Sequence, residues 1–151
     1  MLDLSTILLP VDFSERSIAA ARYAGALACR FKSQVIMLHV APNEYPIGSF
    51  EAPIDFHNLW NERIEEARTN LDAFLADDFR RMPVKRFVLD GDPAARIVQV
   101  AGCERAKLIV MPTHGYGPFR RFILGSVTAK VLHDADCARA DERRLLGGIV
   151  G

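Results

Sequence analysis

The chain has 151 residues, half of them hydrophobic and a quarter charged, which suits one globular domain that buries about 70% of its unfolded surface. Nineteen Lys and Arg offset nineteen Asp and Glu, so the basic excess needed for general affinity to nucleic acid or an anionic membrane is absent. No apolar run approaches the roughly 20 residues that span a bilayer. Met1-Leu2-Asp3 lacks the basic start of a secretory signal, and Cys29, Cys103 and Cys137 are odd in number and widely spaced. These features describe a cytoplasmic protein with reduced thiols and no nucleic-acid or membrane partner.

Thr6-Ile7-Leu8-Leu9-Pro10-Val11 is short and almost wholly apolar, the pattern of a parallel strand covered on both faces. Asp12-Phe13-Ser14 follows, with Ser14 placed to cap a helix from Glu15. In that helix Ile18, Ala21, Arg22, Gly25 and Ala28 keep the helical period, and small residues permit close packing on a sheet. Gln34 to Val40 predicts a second strand, and Pro42 to Pro53, rich in Pro, Gly and Ser, a loop. Leu59, Trp60, Ile64, Ala67, Leu71, Phe74 and Leu75 predict a long amphipathic helix from about Phe56 to Phe79. Val84 to Leu89 is a third strand. Gly91-Asp92-Pro93 then turns into a helix with Asp92 as N-cap and Pro93 at its first position. Lys107 to Met111 is a fourth strand, and Ser126 to His133 the core of the last clear helix.

Strand and helix alternate throughout, which predicts an α/β fold: an open parallel sheet with helices on both faces, Rossmann-like. Ligands in such folds lie beyond the carboxyl ends of the strands, where the connections leave in opposite directions. The loops after the first and fourth strands are therefore the candidates. One carries Asp12. The other runs Pro112-Thr113-His114-Gly115-Tyr116-Gly117 and ends at Gly125-Ser126-Val127-Thr128.

That second segment reads as a strand end, a glycine loop and a helix start with hydroxyls, which together aim backbone N–H groups at an anion such as phosphate. Glycine is needed at Gly115 and Gly125 where the backbone approaches a charged oxygen closely, or where φ is positive. Gly115 and Gly117 serve equally well as simple turns, and Ser126 as a simple cap. The dinucleotide fingerprint is not present, because Gly115-x-Gly117 lacks its third glycine, and no Gly-Lys-Ser/Thr triplet marks a P-loop.

Gly115, nine intervening residues and Gly125-Ser126, set within Thr113-His114-Gly115 and Leu124-Gly125-Ser126-Val127, closely resemble the ATP-binding signature of the universal stress protein family. Ile7 to Ser14 is similar to that family's first strand and nucleotide loop, Leu38-His39-Val40 to its second strand, and Gly91-Asp92-Pro93 to the turn after its third. The likeness runs in order from residue 4 to about 137. It implies strand order 3-2-1-4-5 and a domain over 1–137, followed by an atypical tail over 138–151. It also implies ATP or a related adenine nucleotide as ligand, with or without Mg, and a homodimer. Carried over by position, the resemblance gives Pro10, Val11, Asp12 and Val40 to the adenine end, with the Val40 backbone reading the base edge. Thr113, His114, Gly115 and Gly117 would wrap the ribose and phosphates, and Gly125, Ser126 and Val127 would hold the outer phosphates. One position departs. The family has glycine three residues before Gly115, and this chain has Pro112, which has no N–H to donate. Nucleotide affinity is then reduced, or the pocket is vestigial.

Other candidates read more plainly. Asp12 serves either a ligand or the first helix's cap, for which Ser14 is better placed. His114 has no adjacent carboxylate to orient it for acid–base work and reads as a lining residue. His39, His57 and His133 share no metal-ligand spacing. Arg120 and Arg121 cannot both face one phosphate. Trp60, Phe56 and Phe74 read as helix-to-sheet packing. In relatives the Cys137 position precedes Pro-Val and a final apolar strand. Here Ala138 to Arg144 holds five charged residues of seven, which cannot form a buried fifth strand; were the strand missing, the fourth would have an open edge. The reading is a nucleotide sensor with no catalytic residue assigned. Its rivals are an ATP-hydrolysing enzyme of the same superfamily, using Asp12 or His114, and an interaction module.

Overall fold

The computed structural model describes residues 3–42, 56–112, 125–135 and 138–141. Along them run β1 (Thr6–Pro10), α1 (Glu15–Phe31), β2 (Gln34–Ala41), α2 (Phe56–Ala73), β3 (Val84–Asp90), α3 (Pro93–Cys103), β4 (Leu108–Met111), α4 (Ser126–Asp134) and β5 (Ala138–Asp141). The strands make one sheet in the order β3-β2-β1-β4-β5, every pair parallel. The α/β architecture and the strand order are those expected. Beyond Pro42, the loop predicted up to Pro53 lies outside the described residues.

Successive side chains on a strand point to opposite faces, and this alternation divides the core in two. Ile7, Leu9, Val35, Met37, Leu108 and Val110 pack with residues of α1 and α2. Leu8, Ile36, Leu38 and Ile109 pack with residues of α3 and α4. Ile7, Leu8 and Leu9 are wholly buried, and burying each such side chain contributes about 1.5–3 kcal/mol. The near-continuous apolar run of β1 is thus explained: neither face meets water.

Local rules set the helix ends. Ser14 caps α1 as predicted, its Oγ accepting the Ser17 N–H at 3.2 Å. The helix closes with Lys32 in the left-handed region at φ 56°. Asp92 caps α3, accepting the Ala95 N–H at 2.9 Å, with Pro93 at the first position. Helix α2 stops at Ala73, short of the Phe79 that its periodicity implied. Leu75 takes φ 47°, a left-handed step that breaks the i→i−4 ladder. The apolar pattern continues past that break because Phe79 still buries its ring. A Cβ on Gly25 of α1 would stand 3.3 Å from that ring, so the missing side chain makes room for it.

The charged segment after Cys137 also differs from expectation. Residues Ala138–Asp141 pair with β4, Leu108 opposite Ala138 and Met111 opposite Asp141. An edge strand needs ladder hydrogen bonds on one side only, and it can carry charges that a central strand cannot. The sequence argument excluded burial, and burial is not what an edge position requires.

Gly91 joins β3 to α3 at φ +122°, and a Cβ there would lie 3.1 Å from Arg96 Nε, which donates to the Asp90 carbonyl at 2.7 Å. Gly91→Ala is therefore expected to cost about 1–3 kcal/mol and to lower the melting temperature by roughly 2 to 12 °C. Thermal denaturation followed by circular dichroism checks this; an unchanged midpoint would show that the turn tolerates a side chain.

Candidate functional site

Connections leave β1 and β4 toward opposite faces, α1 to one and α4 to the other, so a crevice opens between the carboxyl ends of these two strands. A cavity of about 380 Å³ fills it, within the range of roughly 300–1,000 Å³ typical of small-molecule sites. Pro10, Val11 and Asp12 from the end of β1, Val40 from β2, and Gly125, Ser126 and Val127 from the start of α4 all line it. Seven of the residues singled out in the sequence therefore meet around one space. Thr113, His114, Gly115 and Gly117 lie outside the described residues, as do Arg120 and Arg121.

The α4 end offers donors. Gly125 is its N-cap, with no side-chain cap hydrogen bond, and the first intrahelical bond runs from Ala129 N–H to the Gly125 carbonyl at 2.8 Å. The amides of Ser126, Val127 and Thr128 precede that bond and have no acceptor within the helix. They sit at the positive end of the helix dipole, where an anion is stabilised. Two expectations change here. Gly125 has φ −58°, so close approach of the backbone to a ligand, and not a positive φ, is what remains to favour glycine. Thr128 is buried and its hydroxyl donates to the Pro112 carbonyl at 3.0 Å. That hydroxyl ties α4 to the end of β4 and does not add a donor for phosphate. Pro112 lacks an N–H, yet its carbonyl holds the loop's exit to the helix.

The β1 end carries the charge. Oδ1 of Asp12 accepts the Ser14 N–H at 3.0 Å, the Ser14 hydroxyl at 2.5 Å and the Ser17 hydroxyl at 2.5 Å. Ser17 Oγ in turn accepts the Asp12 N–H at 2.9 Å. Desolvation pushes the Asp12 pKa up, but the hydroxyl and amide hydrogen bonds outweigh it and hold the carboxyl below its ordinary value. Asp12 is thus both a cavity residue and the orienter of the Ser14 cap; the two readings of it do not exclude each other. Ser17, which lines the cavity, went unnoticed in the sequence. Its signal was the Asp12-x-Ser14-x-x-Ser17 spacing, legible only once Ser14 is known to start a helix.

His39 was placed merely within a strand, and it too lines the cavity. Its Nδ1 bonds the Val11 carbonyl at 2.9 Å, so in the neutral ring Nδ1–H is the donor and Nε2 an acceptor. Phe13 stacks on this imidazole with ring centroids 4.5 Å apart, and meets Phe74 edge-on at 5.8 Å. Phe13 holds φ 63°, a left-handed conformation that costs a residue with a Cβ about 1–2 kcal/mol.

Among the described residues lining the cavity, Asp12 is the only Asp, Glu, Lys or Arg. Leu38, Ile97, Met111 and Val127 give it apolar walls. The arrangement suits a flat apolar group near Asp12 and an anionic group at the α4 amides, away from that carboxylate. An adenine nucleotide has this distribution. Among the described residues, no three His, Cys, Asp or Glu side chains gather into a metal cage.

Comparison with known proteins agrees with this fold. A sequence model of the universal stress protein family matches residues 4–138. A universal stress protein of Thermus aquaticus is 32% identical over 133 residues, covering 87% of this chain and 93% of the relative. Universal stress protein MJ0577 of Methanocaldococcus jannaschii is 30% identical over 141 residues, covering 83% of this chain and 86% of the relative. Its solved structure superposes with a TM-score of 0.71 at 28% identity, covering 91% of this chain and 94% of that one. The universal stress protein of Archaeoglobus fulgidus, solved in complex with dAMP, shares the fold at a TM-score of 0.63 and 22% identity, covering 93% and 98% of the two chains. By the match to its sequence model and by these relatives, the chain belongs to the universal stress protein family.

Proposed function

We propose that this protein binds ATP or a related adenine nucleotide in the cavity between β1 and β4, and acts as a nucleotide sensor in a cytoplasmic stress response, as a homodimer. One observation carries the reading: the apolar slot beside Asp12 and Val40 and the first residues of α4, whose amides have no acceptor within the helix, open onto the same space. The dAMP complex of a protein with this fold supports it. Among the described residues no helix is long and apolar enough to cross a membrane.

In this reading Pro10, Val11, Asp12 and Val40 receive the base and ribose. Gly125, Ser126 and Val127 receive the outer phosphates, and Thr113, His114, Gly115 and Gly117 complete the enclosure. Phosphate oxygens would be met by neutral amides and a helix end, since no Lys or Arg lines the cavity among the described residues. Asp12 is a poor general base, because a carboxylate held below its ordinary pKa has little affinity for a proton. This favours sensing over hydrolysis, and steady-state ATP turnover is expected to stay far below the common enzyme median of about 10 s⁻¹. Turnover near that rate in a phosphate-release assay would favour the enzyme reading.

Thermal melting with MgATP tests the binding itself. A nucleotide at a hundredfold excess over its dissociation constant adds about 2.7 kcal/mol to the folded state. That is an upward shift of roughly 5 to 10 °C for a domain of this size. Gly125→Val is expected to fold, because φ −58° and ψ 145° suit any residue, and to lose the shift, because its side chain occupies the phosphate position. No shift in the parent at millimolar MgATP would overturn the proposal, and an equal shift in Gly125→Val would overturn the assignment of the α4 end.

Asp12 makes a separate prediction. Its folded pKa is depressed, so its stabilising effect is fully present above the unfolded carboxylate value of about 3.9. The effect is lost as pH falls through the lower folded value. Asp12→Ala should therefore unfold at lower urea than the parent at neutral pH, with the gap closing at pH values well below that of a free carboxylate. A gap that persists undiminished in acid would mean that packing, not the carboxylate, sets the difference.

A further inference from the structure

A second cavity, of about 210 Å³, opens between Phe13 and helix α2, and His39 and Pro42 belong to the linings of both cavities. Phe13, His39 and Trp60 supply its aromatic walls, and Arg63, Glu66 and Asn70 of α2 its polar rim. From these side chains we infer that the second cavity binds a planar heteroaromatic ring, of the nucleobase or nicotinamide type, independently of the phosphate end of the first.

Size favours a small occupant. The space falls below the roughly 300 Å³ at which pockets take whole drug-sized ligands, and it suits one ring system. The walls favour a flat π-surface, since aromatic side chains gain from stacked or edge-on partners as well as from area. The rim favours a ring with hydrogen-bonding edges: Arg63 only donates, Glu66 in its ionised form only accepts, and Asn70 does both. These three lie at helical neighbour spacings on one stripe of α2, along with Trp60 and Ala67. Their charges offset each other, so a neutral ring fits better than a bare anion.

Phe13 provides the independent observation. A large residue at φ 63° is a backbone outlier, and such strain persists where surrounding structure holds it for a purpose. Phe13 sits between Asp12 and the Ser14 cap, where the turn closed by the Ser14 N–H on Asp12 Oδ1 turns its ring toward the α1 and α2 side. What it achieves is to lay the Phe13 ring against His39 at 4.5 Å and make it a wall of the second cavity.

Trp60 is the only tryptophan in the chain, so the site reports on itself. Adenine and nicotinamide, both lacking phosphate, are titrated into the parent while tryptophan emission is followed. Saturable quenching by at least one of them is expected, and it should persist in Gly125→Val, where the phosphate end of the first cavity is blocked. Asn70→Leu, an exposed helix position that leaves the fold intact, and Phe13→Gly, which suits the left-handed backbone, should each weaken the probe at least tenfold. Quenching by neither probe, or quenching of equal affinity in both variants, would overturn the inference. Either result leaves the MgATP melting shift untouched, so the two sites stand or fall separately.

Discussion

The burial of β1 in the middle of the sheet is the constraint from which the rest follows. It pairs with β2 on one side and β4 on the other, so both of its ladder edges are occupied, and both of its faces are covered. Between Ile7 and Pro10 such a strand is buried on both faces and carries no polar side chain. The first polar residue past its end is Asp12, whose backbone N–H and carboxylate turn to the hydroxyls of the Ser14 cap and of Ser17 in α1. Because α1 crosses to β2 on one face and α3 brings the chain to β4 on the other, the two strand ends part without a connection between them. The cavity is a consequence of topology before any side chain shapes it.

Much of this was legible in residues that obey local rules. Apolar runs named the strands, Ser14 and Asp92 named two helix starts, and the glycine pattern around Gly125 pointed to the end of α4. The misreadings have a common cause. Periodicity reports which residues are buried, and not whether the backbone between them stays helical, so Phe79 extended α2 on paper while Leu75 ended it in space. Composition reports whether a segment can be buried, and not whether it can pair, so the sequence left the fifth strand in question where an edge position permits Ala138–Asp141 to pair. Ser17 and His39 were missed because their roles depend on partners elsewhere in the chain: Asp12 five residues back, and Val11 across the sheet.

Hydrogen bonds at the cavity mouth divide into those that hold the protein and those left for a ligand. Thr128 to Pro112 fixes how α4 leaves the β4 end. Ser14, Ser17 and Asp12 fix α1 to the end of β1. His39 to Val11 fixes the β2 end to the β1 end. Each of these is a side chain meeting a group near a strand terminus, where the ladder has stopped and backbone polar groups would otherwise lack partners. The α4 amides belong to the other class. Gly125 contributes no side-chain cap, although a cap residue such as Ser or Asp would stabilise the helix by about a few tenths of a kcal/mol. A cap without a side chain leaves the first amides of α4 without an acceptor inside the helix.

Electrostatics orders the two ends. A carboxylate and a phosphate in one cavity repel, and the repulsion grows as solvent is excluded. The geometry avoids the conflict by placing Asp12 at the β1 end, held by hydroxyl and amide donors, and the helix N-terminus at the other. Lowering the Asp12 pKa strengthens this polarity, because the carboxylate stays charged and rejects an anion placed beside it. In the proposed binding mode, a ligand with a hydrogen-bonding flat group at one end and negative charge at the other would favour the orientation that puts its charge at α4. Cavity walls of Leu38, Ile97 and Met111 reward burial of the flat group without adding charge. In that mode orientation would come from the Asp12 carboxylate and the α4 helix end acting on the two parts of the ligand, with no lysine or arginine in the described lining.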